Sequence, residues 1–355
     1  MRILLWHVHG GWTDAFVRGE HEYLLPTTPE GGPWGLGRGG RDWPESVREI
    51  APEDLRDAGV DLVVLQRTED LEKAEELLGR RLGRDVPAVF VEHNTPRRDV
   101  PNSVHPLSER DDILVAHVTP FNSLFWDCGR APTTVIEHGV VDPGELYTGE
   151  LPRFGVVVND PVRRWRVTGS DLLPAFADAA PIDVYGMNAD GLGEALGLGE
   201  DRLAVEGDLP TRRLHESLAR RRVYLHPIRW TSLGLSLIEA MHLGMPVIAL
   251  ATTEAFHAVP PGAGAVSTDL GVLASTARRL VHDPDEARAA GRIARAHALR
   301  RYGLSRFLAD WDAVLANVVG GATAAEAAEG AGLARSIRHD PEENHPTPYE
   351  RTTAS

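Results

Sequence analysis

The chain has 355 residues, enough for two domains of ordinary size with ample core. Hydrophobic residues make up 42% and charged residues 25%, the balance of a soluble globular protein, and no apolar run approaches the ~20 residues a membrane-spanning helix needs. A formal net charge of −15 disfavours non-specific binding to nucleic acid or anionic lipid, and a single cysteine, Cys128, excludes an internal disulfide and a thiolate metal cluster.

The N-terminal run MRILLWHVHGG turns polar too soon for a signal peptide and reads as a first strand, Arg2 to Val8, ending in an HGGW turn. The reducing cytoplasm is the expected compartment, with a peripheral place at the inner membrane face left open. A glycine-rich loop, Gly31 to Gly40, leads to a predicted helix near Pro44 to Ala58. DLVVLQ (Asp61 to Gln66) is a buried strand and LEKAEELLGRRL a charged amphipathic helix. PAVFVEH, DILVAHV and TVIEHG supply three more strands. Val140 to Arg153 carries Pro and Gly without periodicity and reads as a linker.

A second set of alternations follows. FGVVVN is a strand, SDLLPAFADAA a helix, PIDVYG and RLAVEG strands, TRRLHESLARR a helix and VYLHP a strand. TSLGLSLIEAMHLGMPVIA, Thr231 to Ala249, predicts a helix from about Leu233 running into a strand, with Thr231 or Ser232 as N-cap. Helices are predicted over Leu270 to His282, Asp285 to Tyr302 and Leu304 to Val318. Asp340 to Ser355 reads as disordered.

Short apolar strands alternating with helices predict parallel sheets covered on both faces. Two such sheets leave a cleft between the C-terminal ends of their strands, where ligands of open α/β sheets bind. The expected domains are 1–148 and 149–303, a closing helix 304–320 that returns to the first domain, and a largely disordered tail 321–355. In the run from Thr231, the free amides and dipole of the helix start form an anion site. Gly234 lets a ligand approach the backbone. Glu239 stands among Leu237, Ile238 and Met241, where a carboxylate is costly unless it meets donors. Arg163, Arg164 and Arg166 crowd one loop at the same edge.

Glu239-Ala240-Met241 followed by Gly244-Met245-Pro246-Val247 resembles the donor-site signature of the GT-B glycosyltransferases, specifically their retaining family 4 group. The resemblance is good from Gly155 to Trp311 and loose before it. It implies an α/β GT-B fold: two facing Rossmann-like, doubly wound parallel-sheet domains with a cleft between them. It implies that Glu239 accepts hydrogen bonds from the donor ribose. The family's first glutamate, eight positions earlier, is Thr231 here, and the glycine after it is Ser232. Thr231, Ser232, Leu233 and Gly234 then form the donor loop. Gly10-Gly11 corresponds to the family's glycine turn, and His93 to a histidine near the donor sugar. Arg163 takes the family's diphosphate arginine role. Thr168 falls where a lysine is usual, and Arg166 supplies the missing cation. Glu206, Gly207 and Asp208 are base-side candidates. Arg220 to Arg222 read as a surface run at a helix end, and His138 as a hinge residue.

The implied reaction is transfer of a sugar from a nucleotide-diphosphate donor to an acceptor hydroxyl, with retention. The expected catalytic set is Arg163, Arg166 and His93, with no metal and no cofactor, the nucleotide sugar being a substrate. No DxD-type motif sits in a donor loop, since Asp283-Pro284-Asp285 reads as a helix start. The acceptor is a sugar, a lipid-linked sugar or a small metabolite. No nucleic-acid partner is expected, and membrane docking stays open. The rivals are a catalytically degenerate scaffold of the same fold and a nucleotide-sugar epimerase. A dinucleotide dehydrogenase is rejected because no GxGxxG follows the first strand.

Overall fold

A computed structural model describes residues 1–321 and 326–330. The first half runs β1 (Arg2–Leu4), α1 (Gly10–Phe16), β2 (Glu22–Pro26), α2 (Gly32–Gly35), β3 (Val47–Ile50), β4 (Leu62–Leu65), α3 (Glu69–Leu78), β5 (Ala88–Glu92), β6 (Leu114–His117), α4 (Pro120–Phe125) and β7 (Thr133–Val135). The second runs β8 (Leu151–Val157), α5 (Pro161–Thr168), α6 (Leu173–Ala177), β9 (Ile182–Tyr185), α7 (Leu192–Leu196), β10 (Leu203–Gly207), α8 (Thr211–Leu218), β11 (Arg221–His226), α9 (Leu235–Leu243), β12 (Val247–Leu250), α10 (Ala255–Ala258), β13 (Gly264–Ser267), α11 (Leu270–His282), α12 (Pro284–Arg301) and α13 (Leu304–Val319).

The first sheet has the order β3-β2-β1-β4-β5-β6-β7 and the second β10-β9-β8-β11-β12-β13. Every pairing in both sheets is parallel. β4 (LVVL) and β12 (VIAL) are unbroken apolar runs because helices cover both faces of each sheet. Local chemistry sets the helix ends. Gly79, at φ 62°, stops α3 before the Arg80-Arg81-Leu82 that the amphipathic pattern would have included. Asp269 and Asp283 cap α11 and α12, each carboxylate accepting from two first-turn amides.

Four sequence expectations are corrected. The stretch near Pro44 to Ala58 is not an α-helix: Val47–Ile50 pairs in register with Tyr23–Pro26, and Pro52–Asp57 forms a 3₁₀ turn. The basic segment after β8 is not a loop but α5, opened by Pro161 at its first position. Arg221 is not on a surface helix end. It begins β11, is buried, and donates to Asp183 at 2.6 Å and Glu206 at 3.0 Å. Within the expected tail, residues 326–330 are helical, and Ala327 is buried in the first domain's core. Asp340 to Ser355 lies outside the described residues.

The first core cluster joins residues from both ends of the chain. Trp12 and Phe16 of α1 stack at 4.7 Å, and Trp311 of α13 meets both edge-on at 5.6 and 5.2 Å. Phe307, Val314 and Leu315 are buried beside them. The close approach of α13 explains Gly139: a Cβ there would stand 2.2 Å from Phe307 Cβ. No described helix is long and apolar enough to cross a membrane.

Candidate active site

The C-terminal ends of the two sheets face each other, and the loops leaving them meet. Trp230, after β11, donates its indole N–H to the Pro96 carbonyl of the first domain at 2.7 Å and packs edge-on against Phe121 of α4 at 5.5 Å. Thr119, which caps α4, shares a 3.1 Å hydrogen bond with Ser232 Oγ. Glu254, at the start of α10, accepts from the Phe121 amide at 3.1 Å. Arg301 at the end of α12 donates to Glu137 at 2.6 Å and lies 3.5 Å from Glu254. A recess of about 270 Å³ between Arg2, Glu22, Arg48 and Ala58 lies at the opposite, N-terminal edge of the first sheet, away from these loops.

Gly10 and Gly11 open α1 beneath the second domain's α9. A Cβ on Gly11 would lie 2.9 Å from Leu235 Cδ1 and 3.9 Å from Glu239 Oε1. Glu239 therefore faces the gap between the domains. His215 Nε2 of α8 lies 3.6 Å from its carboxylate. That is too long for a hydrogen bond, and no described residue donates one to the carboxylate. Its side chain keeps 20% of its surface exposed. A half-buried carboxylate with open lone pairs aimed into a cleft is a receptor for ligand hydroxyls.

The helix start differs from expectation. Neither Thr231 nor Ser232 caps α9; the N-cap is Gly234, with no side-chain bond. The hydroxyl of Ser232 is spent on Thr119, and its carbonyl accepts the Glu254 amide at 3.4 Å. Leu233 is buried in the second domain's core, so only its backbone borders the loop. Thr231 is half-buried beside it. With no side chain on the cap, the first amides of α9 stay available to an anion.

His93 follows β5 and joins a cluster of rings. Its centroid is 3.9 Å from His9 and 6.5 Å from His138, with Trp12 edge-on at 5.2 Å. Burial first, then His9 and His138, push the His93 pKa well below its ordinary value. Burial also takes His9 to about 4 and His138 to about 3. All three rings are neutral at pH 7, so they can offer a ligand hydrogen bonding or shape but not charge.

The arginines of α5, a segment kinked at Trp165, divide by pairing. Arg163 pairs with Asp160 at 2.7 Å and Arg166 with Asp171 at 3.0 Å, and each side chain is 73% exposed. Arg164 is half-buried, and no described side chain pairs with it. Burial, then the charges of Arg97 and Arg163, lower its pKa. Arg97 belongs to the first-domain loop that Trp230 holds, and Trp230 and Arg229 bond back to Val167 of α5. Of the three α5 arginines, Arg164 is thus the one without a direct ion pair, Asp160 acting on it only through space, and Arg97 of the first domain stands near it.

On the other flank, Gly207 has φ 78° and its carbonyl accepts the Gly186 amide at 2.9 Å. Glu206 is tied to the buried Arg221, whereas Asp208 is exposed. The base-side loop thus offers its backbone and Asp208 more readily than Glu206. Among the described residues, no group of three His, Cys, Asp or Glu is arranged to hold a metal ion.

Residues 192–297, from α7 through most of α12, match the family model described as glycosyl transferases group 1. No curated protein matches the sequence. Among solved structures, the chain is similar to HepE of Anabaena, solved with UDP, with a TM-score of 0.66, 15% identity, and coverage of 89% of this chain and 100% of that one. It is similar to sucrose-phosphate synthase of Thermosynechococcus elongatus, with a TM-score of 0.66, 16% identity, and coverage of 91% and 100%. A glycosyltransferase of Rickettsia africae gives 0.66, 13% identity, and coverage of 90% and 98%. At such identities these likenesses speak for the fold. The family signature thus lies on the second domain, at residues 192–297, within a chain whose two-domain fold is the GT-B fold of these structures.

Proposed function

We propose that the protein moves a sugar from a nucleotide-diphosphate donor to an acceptor hydroxyl, with retention at the anomeric carbon and without a metal. The observation that carries this reading is Glu239: a carboxylate free of protein donors, facing Gly11 across the cleft, inside the segment matched to the family. It accepts from the ribose hydroxyls. The diphosphate lies between Arg164 and the open start of α9, with Arg97 completing the charge from the first domain. Guanidinium groups and amides fixed in advance stabilise the departing diphosphate without reorganising, which is usually the largest catalytic contribution. His93, neutral, sits against Trp12 where the sugar meets the first domain. UDP heads the probes because HepE was solved with UDP and with UDP-glucose.

Calorimetric titration of UDP is the test. Hydrogen bonds to a charged group contribute about 1.5–3 kcal/mol, so Glu239→Ala is expected to weaken UDP binding by roughly tenfold to a hundredfold. If Glu239→Ala binds UDP as wild type does, the ribose assignment is wrong. If neither UDP nor any other nucleoside diphosphate binds the wild type, the donor site itself is wrong. Arg164→Ala is expected to reduce UDP affinity while leaving that of uridine unchanged, and Arg163→Ala to alter neither. Turnover that persists in EDTA is expected; its loss would overturn the metal-free mechanism. Turnover in the unmodified protein would reject the scaffold alternative.

A further inference from the structure

The glycine-rich loop after β2 leaves one cation over the cleft. Gly39 and Gly40, at φ 58° and 75°, take left-handed conformations that turn the chain back towards α1. Arg38 is consumed in holding this loop. Its guanidinium donates to the carbonyls of Trp43, Pro44 and Val47, and its amide donates to Glu49 at 2.8 Å.

Arg41 is not used in this way. Its Nη1 donates to Thr211 Oγ1, across the domain gap, at 3.2 Å. Its Nη2 lies 3.1 Å from where a Cβ on Gly10 would stand. It pairs with no carboxylate among the described residues, in a chain whose 52 acidic residues outnumber its 37 basic ones. Its charge reaches His7, whose pKa is lowered by burial first and by Arg41 second.

The placement matters because of what lies beside it. Thr211 opens α8, and one turn further on His215 faces Glu239. Arg41 stands over Gly10, while Glu239 stands over Gly11. A ligand lying on the two glycines therefore meets a carboxylate on one side and a guanidinium on the other. A neutral threonine hydroxyl is a weak partner for a guanidinium compared with a phosphoryl group, which accepts two parallel bonds.

We propose that Arg41 is a phosphate anchor supplied by the first domain: it exchanges Thr211 for a phosphoryl oxygen of the ligand held over Gly10-Gly11. The inference rests on the donor-site reading for what that ligand is. The phosphoryl group comes either from the donor diphosphate or from a phosphorylated acceptor.

Binding of pyrophosphate, UDP, uridine and glucose 6-phosphate to the full chain distinguishes these sources, using wild type, Arg41→Ala, Arg41→Lys and Thr211→Val. Arg41→Ala is expected to weaken pyrophosphate and UDP by about tenfold, with uridine unchanged, Lys restoring part of the loss and Thr211→Val losing none. An Arg41→Ala loss confined to glucose 6-phosphate would instead place the anchor on the acceptor. Equal binding of all phosphorylated probes by wild type and Arg41→Ala overturns the proposal, whatever becomes of the donor site. Arg41-dependent pyrophosphate binding with no nucleotide binding would keep the anchor and reject the nucleotide reading. Arg41 is exposed, so matching melting temperatures confirm that each variant is folded.

Discussion

Acidification from pH 7 to pH 5 is expected to remove about 2 kcal/mol of stability for each of three histidines. His117 and His138 are held by burial at pKa values of about 3, and His226 at about 4. All three are at most 4% exposed. Unfolded, each takes up a proton near pH 6.5. Between that pH and about 4, the unfolded chain binds more protons than the folded one, so stability falls as pH falls. The neighbours only partly alter this. His117 faces His105 and Cys128, and His226 lies beside the Tyr224 hydroxyl. His138 faces His9 and Arg306, which lower its pKa, and Glu137, which raises it. Asp70 and Glu254 have raised pKa values from burial and act in the opposite sense, but only as pH drops through the carboxylate range. Against a typical total of about 5–15 kcal/mol, the loss is large. Urea titrations at pH 7, 6 and 5 measure it. A denaturation midpoint independent of pH over that range would show that these rings are not buried neutral.

Arg301→Ala is expected to cost about 3–5 kcal/mol, because it removes the guanidinium that two buried carboxylates share. Glu254 is 1% exposed and Glu137 8%, and Arg301 bonds one, lies beside the other and donates to the His257 carbonyl. Its own pKa rises, the carboxylates and Tyr302 outweighing burial. Glu254 also accepts the Phe121 amide, so the network ties α12 and α10 to α4 of the other domain. Replacing Arg301, Glu137 and Glu254 together by Met, Leu and Leu should recover much of the loss, since the cost lies in burying the carboxylates without the guanidinium rather than in the missing pair. A single Arg301→Ala change that leaves the melting temperature within a degree would mean the carboxylates are solvated in solution.

The second domain was more legible in the sequence than the first, for a physical reason. Its central strands are apolar on both faces and its long helices carry caps and periodic cores, so local pattern and tertiary environment agree at Val247–Leu250, Leu270–His282 and Pro284–Arg301. β3 is the edge strand of its sheet, with Arg48 and Glu49 exposed, and its parallel pairing to β2 leaves no local mark. At the site, Glu239 was readable because an acid in an apolar run is an anomaly. Arg164 and Arg41 were not, because each is one arginine among many and its importance lies in what it fails to pair with. Arg221 misled for the reverse reason: a buried cation looks like a surface one until Asp183 is seen beneath it.

The helix Leu304–Val319 places Phe307 and Trp311 against Trp12 and Phe16. During synthesis, the domain that leaves the ribosome first therefore waits for the part that leaves last. At about 5–20 residues per second, roughly ten to thirty seconds pass between completion of its sheet and arrival of the residues that seal it. Through that interval Trp12 and Phe16 lie uncovered on a nascent chain, a ready target for chaperones, and a transcript cut short before Leu304 would release a polypeptide with an open seam.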